Sequence, residues 1–262
     1  MGVVGTKLGA IGVHEQGGGD AVPIIFLHGV GSDKSVWRPQ IEHFSRSRRA
    51  IAFDYPGYGE SDPLASGGDF VSAILAAMDA LGIERAHVCG LSLGGVVAIA
   101  MHARSPKRCA SLTLADTFVR HPDGAAIYER SIEASRTMSM RALAEGRVDM
   151  LLGDAATPEL RAEVVATMAA IDPEAYRIGA KAVWLADQRD EARAIRLPTL
   201  VLCGAEDRVT PPALSEELAA LIPLADLAII GAAGHLANAE QPAVFNSAVD
   251  AFIAEVERNS LS

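Results

Sequence analysis

Short apolar runs alternate with longer amphipathic segments along most of this chain, and that rhythm leaves few folds open. Val22–Leu27, Arg49–Asp54, Ala86–Leu91, Ala110–Ala115, Thr199–Cys203 and Asp226–Ile230 read as strands. Most lack a clean polar alternation, as strands covered on both faces by helices should. Helical periodicity occupies Asp69–Leu81, Gly94–Arg104, Ala213–Leu221 and Pro242–Val256. Strand-then-helix repetition predicts the α/β class, a mostly parallel sheet flanked by helices. Val3–Thr6 and Ala10–His14 fit an antiparallel hairpin at the sheet edge, and Gly17-Gly18-Gly19-Asp20 a turn before the first long strand.

The rhythm breaks between about Val119 and Gln188, where no strand is evident and Asp154, Thr157-Pro158 and Asp172-Pro173 mark helix starts or turns. The expectation is a core made of residues 1–118 and 189–262, with residues 119–188 a helical cap inserted in the same domain. A long helical crossover is the alternative.

Composition narrows the function classes. The chain has 262 residues, half of them hydrophobic and 21% charged, as in a soluble globular protein large enough for one α/β domain. A net charge of −10 disfavours a broad surface for nucleic acid or anionic membrane. The three cysteines, Cys89, Cys109 and Cys203, have neither disulfide nor metal spacing, and Cys89 and Cys203, in apolar strand-like runs, read as small buried core residues. Met1 to Ala10 lacks a signal-peptide pattern, and no apolar run approaches the roughly 20 residues that span a bilayer. The expectation is a cytoplasmic enzyme; oligomeric state is not legible.

Gly90-Leu91-Ser92-Leu93-Gly94 matches G-x-S-x-G between an apolar strand and a helix, the context of a nucleophile elbow. The sharp turn demands small neighbours, which Gly90 and Gly94 supply, and Gly95 lets the helix start pack closely. Ser92 is the candidate nucleophile, at a helix N-terminus that favours negative charge. His28-Gly29-Val30-Gly31 follows the first long strand. The N–H groups of Val30 and Leu93 are the candidate oxyanion hole, each donor worth roughly 3 kcal/mol. His28 itself reads as a structural residue bonded within its loop.

A serine hydroxyl needs a base. Of the seven histidines, His235 stands out, because it follows the last strand in the small-residue loop Gly231-Ala232-Ala233-Gly234. The chain order Ser92…Asp207…His235 is the one expected on this architecture. Asp207, just past the strand ending at Cys203, is the candidate acid that orients the imidazole. Its rivals are Glu206 beside it and Asp116 after the preceding strand.

Over nearly its whole length the chain resembles α/β-hydrolase-fold proteins. Asp54-Tyr55-Pro56-Gly57-Tyr58-Gly59-Glu60-Ser61 is similar to their D-x-x-G-x-G-x-S turn beside the oxyanion loop. Gly234-His235-Leu236-Ala237-Asn238-Ala239-Glu240-Gln241-Pro242 resembles the histidine loop of 3-oxoadipate enol-lactonases, as do Leu197–Val201, Gly204–Asp207 and Thr210-Pro211-Pro212. The resemblance implies a serine esterase or lactonase that acts on a small molecule, opening a carboxylate-bearing lactone without metal or organic cofactor. Two alternatives stand beside it: hydrolysis of a C–C bond in ring-cleavage diketones, and a non-catalytic ligand-binding member of the fold. Diketone hydrolases often carry Trp after the histidine, so Leu236 argues against the first. All three triad residues are present, which argues against the second. Ser92, where haloalkane dehalogenases of this fold place Asp, excludes that chemistry. Trp37, Met138, Trp184 and Leu236 are candidate substrate-binding walls. Arg120, Arg130, Arg136, Arg141 and Arg177 are candidates for a substrate carboxylate, none singled out.

Overall fold

The computed structural model describes residues 2–64 and 68–260. Among these, β1 (Gly2–Thr6), β2 (Gly9–Gln16), β3 (Ile24–Leu27), β4 (Ala50–Phe53), β5 (Ala86–Leu91), β6 (Cys109–Ala115), β7 (Thr199–Gly204) and β8 (Ala225–Ile230) form one sheet in the order β1-β2-β4-β3-β5-β6-β7-β8. β1 pairs with β2 and β2 with β4 antiparallel, and the other pairings are parallel. The six apolar runs are the six strands β3 to β8, and the expected hairpin lies at the sheet edge. β3 starts two residues later than expected, after Pro23, whose missing N–H cannot join a ladder.

Successive strand residues feed two different apolar layers. Ile25, Leu27, Ile51 and Phe53 belong to one buried cluster, whereas Ile24, Phe26, Ala50 and Ala52 belong to the other. That is the period-2 geometry of a strand with both faces covered. The helices divide accordingly. α1 (Arg38–Phe44) buries Ile41 and Phe44 in the second layer, while α2 (Phe70–Ala80) and α3 (Leu93–Arg104) fill the first. Each such side chain, fully buried, contributes about 1.5–3 kcal/mol against the entropy of ordering the chain.

Between β6 and β7 the chain forms α4 (Gly124–Thr137), α5 (Met140–Leu151), α6 (Pro158–Ala169), α7 (Pro173–Trp184) and α8 (Arg189–Ala194). Their starts follow local chemistry. Ser139 Oγ accepts the Ala142 N–H, Thr157 Oγ1 that of Leu160, and Asp172 Oδ1 those of Glu174 and Ala175. Each such cap is worth about 1 kcal/mol. The short α8, just past the expected end of the helical stretch, has no side-chain cap and was not foreseen. After β7 come α9 (Pro212–Leu221), α10 (Ala237–Glu240) and α11 (Pro242–Ser260), with Phe245, Val249 and Ile253 of α11 closing the second layer. No helix among the described residues is long and apolar enough to cross a membrane.

Candidate active site

Parallel strands that end at one edge leave their following loops at a shared crevice. Four loops meet there, after β3, β5, β7 and β8. Ser92 directly follows β5 and precedes α3, with φ of 54° and ψ of −114°. The turn is over-determined: the Ser92 N–H donates to Ala115 O at 2.9 Å, and Thr117 Oγ1 donates to Ser92 O at 2.8 Å. A Cβ on Gly90 would lie 2.2 Å from Gly94 O, and one on Gly94 would lie 2.0 Å from Leu27 O. Glycine at both positions is therefore what lets the elbow close.

The loop after β3 lies against this serine, since a Cβ on Gly29 would be 3.4 Å from Ser92 Cβ. Among the described residues, neither the Val30 N–H nor the Leu93 N–H has a protein acceptor. The loop is pinned from behind. His28, fully buried, donates from Nδ1 to Gly29 O at 2.8 Å and accepts the Tyr55 N–H at Nε2 at 3.2 Å, so it is structural. Burial holds it below the usual histidine range, with the neighbouring Asp54 charge and the Gly29 bond opposing. Asp54, which opens the D-x-x-G-x-G-x-S turn, accepts the Lys34 N–H at 2.8 Å and Lys34 Nζ at 2.6 Å, and Lys34 Nζ also reaches Glu60 at 2.7 Å. The buried ion pair thus ties that turn to the end of the oxyanion loop.

Asp207 follows β7 and accepts the His235 Nδ1–H at Oδ2, 2.8 Å away. Thr210 Oγ1 donates to the same oxygen at 2.6 Å, and the N–H groups of Val209 and Thr210 occupy Oδ1. Burial alone would raise the Asp207 carboxyl, but His235 and these donors outweigh it and hold the group below the usual carboxylate range. The carboxylate fixes His235 with its proton on Nδ1, leaving the Nε2 lone pair for another partner. The two rivals are engaged elsewhere. Glu206 accepts the Asp154 N–H at 2.8 Å, and Asp116 Oδ1 accepts the Gly204 N–H at 2.8 Å.

Asp116, Cys203 and Asp207 place one ligand atom each within 4.8 Å of one another. Burial raises Asp116 and Cys203 well above their ordinary values, the Asp207 charge adding to both.

Ser92, Val30 and His235 line one cavity of about 180 Å³. No other histidine among the described residues lines it. The strand-end loops form its floor, and side chains of α5, α6 and α7 its roof, among them Leu151, Val164, Met168 and Tyr176. Of the expected walls, Trp184 and Leu236 line this cavity. Two are corrected. Trp37 is fully buried in the core, in tilted ring contact with both Phe26 and Phe245, because the short 3-10 turn at Lys34–Trp37 aims it under the sheet. Met138, beyond the last residue of α4, is 46% exposed and outside the cavity.

None of the five arginines considered for a carboxylate lines the cavity. Arg130 and Arg136 are exposed, Arg141 pairs with Glu145, Arg120 with Asp187 and Arg177 with Glu174. Arg147, which sequence reasoning missed, does line it. Its Nη1 donates to the Tyr176 hydroxyl at 3.2 Å, and no carboxylate among the described residues pairs with it. Arg147, half-buried, lies four residues from both Leu143 and Leu151, which are buried on α5, but that spacing marks it only once the docked face is known.

The chain is similar to known hydrolases along most of its length. A profile of the alpha/beta hydrolase family matches residues 24–248. The 3-oxoadipate enol-lactonase 1 of Acinetobacter baylyi is 27% identical over 251 residues, 94% of each chain. A 2-hydroxymuconate semialdehyde hydrolase of Pseudomonas putida is 31% identical, over 94% of this chain and 91% of that one. The solved enol-lactonase from Burkholderia xenovorans superposes with a TM-score of 0.90 at 28% identity, covering 97% of this chain and 100% of that one.

Proposed function

This chain belongs to the alpha/beta hydrolase family, and from that premise we propose that it is a serine hydrolase opening a small carboxylic ester or lactone through an acyl-enzyme. The observation that carries the reading is the convergence on one cavity of Ser92, in its strained elbow, and His235, already oriented by Asp207. His235 Nε2 takes the Ser92 proton as Oγ attacks the carbonyl carbon. The Val30 and Leu93 N–H groups hold the oxyanion, having no other acceptor among the described residues to leave behind. His235 then protonates the departing oxygen, and water repeats the cycle on the acyl-enzyme.

Size and charge of the cavity refine the substrate. A volume near 180 Å³ slightly exceeds the roughly 150 Å³ that admits a benzene ring, which suits a five- or six-membered ring or a short acyl chain. Arg147, free of any carboxylate partner among the described residues, supports a substrate bearing its own carboxylate. Residues 119–188 would then act as the cap that selects it, with Trp184 and Leu236 as apolar walls.

C–C bond hydrolysis is the second reading, favoured by the 31% identical semialdehyde hydrolase. It uses the same serine and histidine, so substrate turnover decides between them. A short p-nitrophenyl ester, a small carboxylated lactone and a ring-cleavage diketone would be compared in wild type and Ser92→Ala. The expected result is turnover of ester and lactone that falls about 10³-fold or more in the variant. An organophosphonate should add its mass to the Ser92 peptide of wild type only. Retained turnover in Ser92→Ala, or a folded wild type that resists labelling, would overturn the proposal.

A further inference from the structure

Glu240 lies outside the cavity, at the end of α10, five residues past His235. Its two carboxylate oxygens serve two distant stretches of chain. Oε1 accepts the N–H of Gly234, the residue before His235, at 2.8 Å. Oε2 accepts the N–H of Gly153, in the turn between α5 and α6, at 2.7 Å. His235 itself donates its backbone N–H to Leu151 O at 2.9 Å. The backbone that carries the histidine is therefore held directly and indirectly by the same turn.

The approach is as close as backbones allow. A Cβ on Gly234 would lie 2.6 Å from Gly153 N, and one on Gly153 would lie 3.0 Å from Gly234 N and 3.1 Å from Glu240 Oε2. The loop that carries Asp207 is fastened to this turn as well. Glu206 accepts the Asp154 N–H at 2.8 Å, and Arg208 reaches Asp149 O at 3.0 Å and Asp154 Oδ1 at 2.6 Å. Remove the turn, and both loops lose partners that no strand replaces.

We propose that Glu240 is a positioning residue for His235: its carboxylate clamps the histidine loop to the turn between α5 and α6, which makes the helical insertion part of the support of the base. The catalytic half of this statement rests on the reading of His235 as general base. The chemistry of the clamp is specific. Two backbone donors converge on one side chain, and a carboxylate offers an acceptor to each. An amide offers one acceptor and one N–H₂ group, so glutamine would set donor against donor at Gly153 or Gly234. Burial pushes the Glu240 carboxyl up and the nearby Glu206 adds to this, while the Gly153, Gly234 and Leu236 N–H groups pull it back.

Glu240→Gln tests the clamp with two independent readouts. Amide hydrogen exchange, which needs no substrate, should quicken together in the peptides spanning 151–154 and 233–236. For a short p-nitrophenyl ester, kcat should fall about 10- to 100-fold through misplacement of the base, with KM little changed, and phosphonate labelling of Ser92 should slow in parallel. Should the variant fail to fold, Glu240→Asp, which keeps the charge but is one methylene too short for both donors, carries the same readouts. Wild-type exchange at both segments would overturn the clamp. Coupled exchange with unchanged kcat would overturn the positioning role. A wild type that exchanges as expected but resists phosphonate would sink the hydrolase reading, leaving the exchange result to judge the clamp alone.

Discussion

The strand-end loops and the helical insertion line one cavity from opposite sides, yet they are built by different rules. Ser92, Asp207 and His235 stand on loops whose origins are fixed by the ladders of β5, β7 and β8, and each is buried to within 5% of complete enclosure. The helices of the insertion are locally well specified by their caps. Their place over the sheet, however, rests on long-range docking: Leu143, Met168, Tyr176 and Val183 pack in the same buried cluster as Leu27, Val30 and Val96, Gly153 and Asp154 bond to two glutamates, and Tyr58 Oη bonds to Ala175 O at 3.1 Å. On the reading proposed above, bond-breaking chemistry falls to the sheet side, common to every substrate, and substrate choice to the insertion. Glu240 is where the two sides meet.

The largest expected effect falls on the sheet side. Asp207→Asn removes the acceptor that fixes the His235 tautomer, and kcat should drop about 10³- to 10⁴-fold for every substrate alike. Steady-state kinetics on a neutral and an anionic ester of similar size would check this. A loss confined to one of them would break the division of labour. Asp207 also bears on stability. Its folded-state carboxyl titrates below its ordinary value, so its contribution is fully present above the usual carboxylate range and is lost as pH falls through the lowered value.

The insertion side should behave in the opposite way. Arg147→Met removes a charge-assisted bond to a substrate carboxylate, worth roughly 1.5–3 kcal/mol. That corresponds to about a 10- to 100-fold rise in KM for the anionic ester, with the neutral ester barely affected. A parallel loss on both esters would mean that Arg147 supports the roof rather than reading charge.

How much of this was written in the sequence follows the same division. The strands were legible because short, mostly apolar runs, fully buried in β3, β4 and β6, stand out between polar loops. Asp207 was separable from Glu206 because side chains past a strand end alternate, and Glu206 indeed turns toward Asp154. The insertion was legible only as helices. Which face of α5 looks inward is a matter of docking, so Arg147 read like any surface arginine, and five others were considered in its place. Trp37 failed for a related reason. Its neighbourhood to the oxyanion loop in sequence suggested a wall, but one 3-10 turn rotates it into the second apolar layer. Glu240 was quoted as part of a motif, yet nothing local says that its second oxygen waits for a glycine 87 positions earlier.

The smallest expected effect sharpens the comparison within the sheet side, between two carboxyls at adjacent strand ends. Asp116 follows β6 with φ of 48°, fully buried, its Oδ2 without a hydrogen-bond partner among the described residues. Burial first, then the charge of Asp207, push its carboxyl well above the usual range, against the pull of the Gly204 and Ala237 N–H groups. The folded protein therefore keeps a proton that the unfolded chain releases above about pH 4. From that pH upward Asp116 costs stability, and the cost grows until the folded group itself ionises. Asparagine keeps the acceptor for Gly204 and carries no proton to lose. Thermal melts of Asp116→Asn should match wild type near pH 4 and exceed it increasingly toward neutrality, by about 2–4 °C for each kcal/mol recovered, with kcat close to wild type. A variant that melts lower than wild type at neutral pH would mean that Asp116 is ionised and its charge is used. The two acids would then share one task, and the assignment of the histidine to Asp207 alone would have to be redrawn.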